Sequence, residues 1–132
     1  YHMARLVSRY HQRLDAALKP LGIDVARWRV LMILKQQEVA TISQLASEAV
    51  SKISTMAKII QRMTGEELVQ VQASKADARS TEVLLTEKGR SLLIEVQQRV
   101  SGISRIAFAG LDETDLDNLN ALSRKIYGNL SI

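Results

Sequence analysis

Apolar residues recur at steps of three and four along most of the chain, which is the spacing of one face of an α-helix. A first helix is predicted from about His2 to Leu18, with its apolar stripe at Met3, Leu6, Val7, Tyr10, Leu14 and Leu18. Pro20 and Gly22 end this helix. Asp24 is a suitable N-cap for a second helix, which is apolar on most sides and is therefore expected to be largely buried.

Two further helices follow the second one. A brief extended piece is predicted at residues 40–42, and Ser43 is interpreted as the N-cap of a helix from Gln44 to Ala49. The next helix runs from about Lys52 to Thr64, with Gly65 marking its end. Its apolar positions are expected to face the core, and they are Ile53, Met56, Ile59, Ile60 and Met63.

The pattern then changes to partial alternation of apolar and polar residues, which is typical of strands. Residues 68–73 and 80–85 predict two strands joined by a polar turn, which together form a β-hairpin with a long tip. Thr86-Glu87 begins a long helix that reaches Phe108, and Asp112-Glu113 begins the last helix. The predicted fold class is mainly α with a small β-hairpin (α+β).

Composition limits the classes of function. With 132 residues, of which 46% are apolar and 24% charged, the chain is the size and type of one globular domain. It has no cysteine and two histidines, which argues against a disulfide framework, a thiol-based redox sensor and a zinc-responsive regulator. No glycine-rich phosphate loop or catalytic triad arrangement is recognisable, so an enzyme, a cofactor and a metal site are not expected. No apolar run is long enough to span a membrane. The absence of cysteine makes a reducing cytoplasm the simplest expectation for the location.

The net charge of +4 favours a polyanionic partner only weakly. The excess lies near the beginning, because residues 1–36 hold seven Lys or Arg against two acids. A solvated helix surface explains such an excess as simply as a nucleic-acid contact does.

A short helix, a tight turn and a second helix with a polar face form the layout of a helix-turn-helix. The second helix is expected to enter the major groove of DNA, where hydroxyl, amide and cationic side chains reach base edges and phosphates. The candidate DNA-binding residues on it are Lys52, Ser54, Thr55, Lys58, Gln61 and Arg62. Taken alone, the same residues suit an ordinary solvated helix equally well.

The hairpin that follows is in the position of a wing. Its tip carries Lys75, Asp77 and Arg79. Arg79 is the expected minor-groove contact, because a narrow minor groove attracts a guanidinium, and Asp77 is expected to orient that group. Taken alone, this segment is also consistent with a surface turn that carries incidental charges.

Together these segments resemble the multiple-antibiotic-resistance regulator (MarR) family. The similarity is most specific at Asp77-Ala78-Arg79-Ser80 and at Leu85-Thr86 followed by Gly89, with support from residues 41–46 and 59–63. The resemblance implies one domain over residues 1–132, in which about 24–89 form a winged helix-turn-helix lobe. Residues 1–20 and 90–132 would then be dimerisation helices.

Two departures from the family pattern concern the wing. Glu67 stands where the family often has glycine, and Ala78 stands where an arginine is common. A less basic wing releases fewer counterions, so we expect weaker and less salt-sensitive DNA binding.

The first, fifth and sixth helices have more apolar surface than one subunit is expected to cover, which predicts a two-fold homodimer on a pseudo-palindromic operator. The resemblance implies a transcriptional repressor that binds double-stranded DNA. Its repression would be relieved by a small aromatic or anionic effector. Possible wall residues of the effector site are Tyr10, Arg13, Trp28 and Met32. The alternative is a winged-helix protein-interaction module without strong DNA binding.

Overall fold

The computed structural model describes residues 1–131. Within residues 1–131, six α-helices and three strands follow one another in the order that the sequence pattern predicts. They are α1 (His2–Leu18), α2 (Val25–Gln37), β1 (Val39–Thr41), α3 (Ile42–Glu48), α4 (Ile53–Gly65), β2 (Val69–Ala73), β3 (Thr81–Leu85), α5 (Glu87–Ala107) and α6 (Glu113–Leu130). A short 3₁₀ turn at Lys19–Leu21 links α1 to α2. The predicted fold, mainly α with a winged helix-turn-helix, is confirmed.

The sheet is larger than the predicted hairpin. β2 and β3 pair antiparallel, and β1 pairs with the other edge of β3, with Ala40 opposite Val83. Val83 is fully buried at the centre of this sheet. The wing is therefore fixed at its base to the segment that joins α2 to α3.

The start of α3 differs from the sequence prediction. Ser43 was expected to be the N-cap, but Thr41 has that role and Ile42 is already helical. The backbone N–H of Gln44 donates to Thr41 Oγ1 at 3.1 Å, and the N–H of Thr41 donates to Gln44 Oε1 at 2.8 Å. This reciprocal capping box satisfies two backbone donors, which Ser43 with Ala46 three positions later cannot do.

The end of α4 also differs from the prediction. Gly65 is the last residue of the helix, and Glu67 is the residue with a left-handed backbone, at φ 63°. The N–H of Leu68 donates to the Met63 carbonyl at 2.9 Å, and the N–H of Glu67 donates to the Thr64 carbonyl at 3.0 Å. This is a Schellman motif, in which glycine is usual at the left-handed position, so Glu67 makes the same turn with some strain.

The core lies between the winged lobe and the first half of α5. Its largest fully buried side chains come from α1, α2, α3, α4, β2, β3 and α5, and they are Leu14, Leu18, Val30, Leu31, Leu34, Leu45, Met56, Met63, Val69, Val83 and Val96. In contrast, no residue of Glu113–Leu130, all of which the structure describes, is buried. The last helix therefore extends away from the body of the subunit.

Candidate nucleic-acid interface

The turn between α3 and α4 fixes the direction of α4. The N–H of Ser51 donates to the Ala46 carbonyl at 2.9 Å, and the N–H of Val50 donates to the Ser47 carbonyl at 3.2 Å. Val50 has a left-handed backbone, with φ 54°. The turn is therefore tight, and α4 packs directly on α3. Leu45 of α3 and Met56 of α4 both belong to the hydrophobic core.

The polar face of α4 is free for a partner. Each of its six predicted DNA-binding residues is exposed, namely Lys52, Ser54, Thr55, Lys58, Gln61 and Arg62. Met56, Ile60 and Met63 are buried on the opposite side of the same helix. Within residues 1–131, the ion pairs involve none of the three cations on α4. The face is thus an exposed, uncompensated positive surface.

Ile53 does not lie in the core, so its predicted inward position is wrong. It is 58% exposed, while Ile59 is partly buried and Ile60 is buried. Ile53 is the first residue of α4, and no preceding helical turn covers its side chain. An apolar side chain therefore lies at the exposed start of this helix.

The wing tip is organised by its own side chains. Ser74, which is largely buried, accepts hydrogen bonds at Oγ from the N–H groups of Ala76 and Asp77, at 3.2 and 3.3 Å. Asp77 Oδ1 accepts from the N–H of Arg79 at 3.0 Å and lies 3.7 Å from Arg79 Nε. The Arg79 side chain is 96% exposed. Asp77 therefore holds the turn through the Arg79 backbone and lies within ion-pair distance of the guanidinium, while the Arg79 side chain projects into solvent.

Close contacts join the base of the wing to α5. Thr86 donates from its hydroxyl to the Glu67 carbonyl at 2.6 Å and accepts at Oγ1 from the N–H of Gly89 at 3.0 Å. A Cβ on Gly89 would lie 2.1 Å from the carbonyl oxygen of Leu68. Glycine at position 89 is therefore required by this close approach, and the Leu85-Thr86-x-x-Gly89 motif has a structural role.

A buried guanidinium, which the sequence did not single out, connects α2 to the end of α4. Arg27 is 5% exposed; its Nη1 donates to Glu66 Oε2 at 2.6 Å and its Nε donates to Asp24 Oδ1 at 3.2 Å. The sequence did carry a signal for part of this arrangement. A cation three residues after an Asp N-cap, on a helix that is apolar on most sides and largely buried, needs a partner.

The Asp24 carboxylate is stabilised by this contact. Partial burial acts to raise its pKa, but the backbone N–H and the guanidinium of Arg27 favour the charged form. The net result is a pKa below the ordinary value.

A mainly apolar cleft of about 250 Å³ lies between α1 and α5. Tyr10 and Arg13, two of the predicted effector residues, line it, together with Leu6, Arg9, Ile103, Ile106 and Ala107. Tyr10 Oη also lies 3.4 Å from Ser104 Oγ. Trp28 and Met32 do not line this cleft and instead pack partly buried against the core. The structure thus brings two of the four predicted residues together.

Within residues 1–131, no cluster of His, Cys, Asp or Glu has the arrangement of a metal site. Among the same residues, no helix is both long enough and apolar enough to cross a membrane.

Comparison with known proteins gives consistent matches. A family model described as the MarR family matches residues 23–81. The HTH-type transcriptional repressor IacR of Pseudomonas putida is 35% identical over 130 residues, which are 98% of this chain and 78% of that protein. The match therefore includes the helices outside the winged lobe.

Solved structures agree with the fold. A MarR family regulator from Silicibacter pomeroyi superposes with a TM-score of 0.88 at 25% identity, covering 100% of this chain and 89% of that one. A mutant MarR from E. coli in complex with operator DNA superposes with a TM-score of 0.82 at 19% identity, covering 94% of this chain and 89% of that one. At that identity the second likeness concerns the fold alone.

Proposed function

The chain belongs to the MarR family, and from this premise we propose that it is a sequence-specific regulator of transcription that binds double-stranded DNA. We further propose that it acts as a repressor, in the cytoplasm, and that a small aromatic or anionic ligand relieves repression. The observation that carries the proposal is the exposed polar face of α4, with its three unpaired cations among the described residues.

The elements around α4 support this use. α4 is held by the tight turn after α3, by the Arg27–Glu66 contact at its end, and by the sheet at the base of the wing. A recognition helix held on three sides loses little conformational entropy when it binds. In this arrangement α4 contacts base edges, while Arg79 and Lys75 at the wing tip contact the backbone and the minor groove.

The chain divides into a part that binds DNA and a part that forms the dimer. In this proposal, residues from about 24 to 89 form the DNA-binding lobe, and residues 1–20 and 90–132 form the dimerisation region, of which residue 132 lies outside the described residues. The support for the latter is α6, whose apolar stripe is exposed at Leu119, Leu122, Ile126 and Leu130. Because such a stripe on an isolated subunit promotes aggregation, a second copy of the chain is the natural cover.

The effector site that the geometry supports best is the cleft between α1 and α5. Its walls are mainly apolar, and Arg9 and Arg13 supply positive charge at its edge. An aromatic acid matches both properties. Since the cleft lies between α1 and the C-terminal end of α5, both in the proposed dimerisation region, a ligand there is placed to alter how two subunits pack and hence the spacing of the two recognition helices.

A winged-helix module that binds protein and not DNA is the second candidate. The observation in its favour is the modest charge of the wing, where β2 exposes Gln70 and Gln72 in place of cations.

An electrophoretic mobility shift with the duplex upstream of the coding sequence separates the two candidates. We expect retardation at low salt, and at least tenfold weaker binding for Arg79→Ala and for Arg62→Ala, with melting temperatures near that of the wild type. Absence of binding to any duplex at low salt would favour the protein-interaction module. A large drop in melting temperature for Arg62→Ala would show instead that Arg62 is structural.

A further inference from the structure

Two apolar side chains lie on the exposed surface of α4 among its polar groups. Ile53 is 58% exposed, and Ala57, one turn later, is also exposed. Residues four apart on a helix are neighbours, so the two form a short strip along the helix surface. We call Ile53 and Ala57 the apolar strip; Gln61 continues its line by one further turn.

A strained residue precedes the strip. Val50, in the turn before α4, is 83% exposed and has a left-handed backbone, at φ 54°. A β-branched residue is unfavourable in this conformation, and glycine is the usual choice. Burial does not compensate for the strain, because the Val50 side chain points largely into solvent. Residues that are held in unfavourable backbone conformations are concentrated at functional sites.

The charges around the strip indicate what covers it. Lys52, Lys58 and Arg62 lie on the same helix and have no ion-pair partner within residues 1–131. An apolar protein surface docking here would desolvate three cations without compensation, which is costly. DNA compensates them with phosphates, and its major groove also presents an apolar group, the 5-methyl of thymine.

We propose that the apolar strip, with Val50 beside it, contacts thymine 5-methyl groups in the major groove and so selects A·T pairs at defined operator positions. This inference rests on the proposed function, because it needs α4 to enter the major groove. The sequence led us to expect base recognition by the polar residues of α4 alone. The inference adds recognition of bases by apolar side chains of the same helix.

The thymine methyl can be removed without changing base pairing, because deoxyuridine pairs with adenine as thymidine does. Each methyl buried against an aliphatic side chain corresponds to about fourfold in affinity. A two-fold complex buries the same contact in both half-sites, so the loss is about fifteenfold if one thymine is read per half-site.

The test begins with selection of bound duplexes from a random 30-base-pair library by the wild-type protein. The selected duplex is then synthesised with deoxyuridine at every thymidine position. Fluorescence anisotropy gives the ratio of the two dissociation constants for the wild type, for Ile53→Ser and for Ile94→Ser. Ile94 on α5 is a matched control, because it is 59% exposed and lies outside both α4 and the exposed α6 stripe proposed as the subunit interface. Light scattering checks that Ile94→Ser has the same oligomeric state as the wild type.

We expect the wild type and Ile94→Ser to bind the deoxyuridine duplex about fifteenfold more weakly, and Ile53→Ser to bind the two duplexes with nearly equal affinity. Equal binding of both duplexes by the wild type, or an unchanged ratio in Ile53→Ser, would overturn the inference and leave the proposed function intact. Failure to select any duplex would overturn the proposed function itself. Thermal melting checks that Ile53→Ser remains folded, and Ala57→Ser provides a second, milder change to the strip.

Discussion

Arg27 Nη1 lies 2.6 Å from Glu66 Oε2, and this contact joins the first turn of α2 to the C-terminal end of α4. Arg27 is buried, while the Glu66 and Asp24 carboxylates that it contacts are partly exposed. The orientation of the proposed recognition helix therefore depends on a buried residue that is not part of the exposed face proposed to contact DNA. Arg27 acts as a positioning residue.

Replacing Arg27 tests this role. Arg27→Met keeps much of the packing volume but leaves two carboxylates without their cation, so we expect the free energy of unfolding to fall by about 2–3 kcal/mol. Glu66→Gln keeps an acceptor for the guanidinium and should cost about 1 kcal/mol. Urea denaturation followed by circular dichroism measures both changes. An unchanged midpoint for Arg27→Met would mean that the ion pair makes no net contribution.

The Asp24 carboxylate should make stability depend on pH in acid. Its pKa in the folded state lies below the ordinary value of 3.8, because hydrogen bonds and charge from Arg27 outweigh the opposing effect of burial. The carboxylate thus stabilises the fold above the unfolded-state pKa, and this contribution disappears as the pH falls through the folded-state pKa.

Asp24→Asn removes this dependence while keeping a good N-cap. We expect the variant to be less stable than the wild type above about pH 5 and the difference to shrink as the pH is lowered below about 4. Chemical denaturation at a series of pH values measures the difference. A constant difference across the whole range would show that the carboxylate charge is irrelevant and that only the shape of the side chain matters.

Gly89 and Gly65 are two helical glycines with very different surroundings, so alanine substitutions at the two positions can be compared. A Cβ on Gly89 would come 2.1 Å from the carbonyl oxygen of Leu68, whereas a Cβ on Gly65 meets nothing within 4 Å. Gly89→Ala must displace α5 from the base of the wing, and we expect a loss of about 3 kcal/mol or more. Gly65→Ala should be neutral or stabilising by up to about 1 kcal/mol. Differential scanning calorimetry distinguishes the two, and equal melting temperatures would contradict the close approach.

Leu122 tests the proposed subunit interface. Leu122→Glu places a charge in the exposed stripe of α6, whereas Ala121→Glu places one on the opposite side of the same helix. We expect the first variant to elute as a monomer or as aggregates in size-exclusion chromatography with light scattering, and the second to remain a dimer. A dimer for Leu122→Glu would rule out this stripe as the interface.

Local signals in the sequence were sufficient for much of the fold. Helical spacing located α1, α4, α5 and α6, and the N-caps Asp24, Thr86 and Asp112 follow from side chains that accept from a backbone N–H three residues later. The turn at Asp77 in the wing is also predictable, because the Asp77 carboxylate accepts from the backbone N–H of Arg79 two residues later.

Contacts between distant segments were not predictable in this way. The pairing of Ala40 with Val83 and the Arg27–Glu66 ion pair join residues about forty positions apart, and periodicity contains no information about them. The exposure of Ile53 was missed for a related reason. Its spacing matches the buried face of α4, but whether a first-turn residue is covered depends on neighbouring elements.

In the proposed complex, two copies of α4 enter successive major grooves of one DNA site. Hydroxyl-radical footprinting of the selected duplex, with the wild type at low salt, measures this arrangement. We expect two symmetric patches of protection whose centres lie about one helical turn, or roughly 10 base pairs, apart. A single patch, or no protection at protein concentrations that saturate the mobility shift, would contradict it.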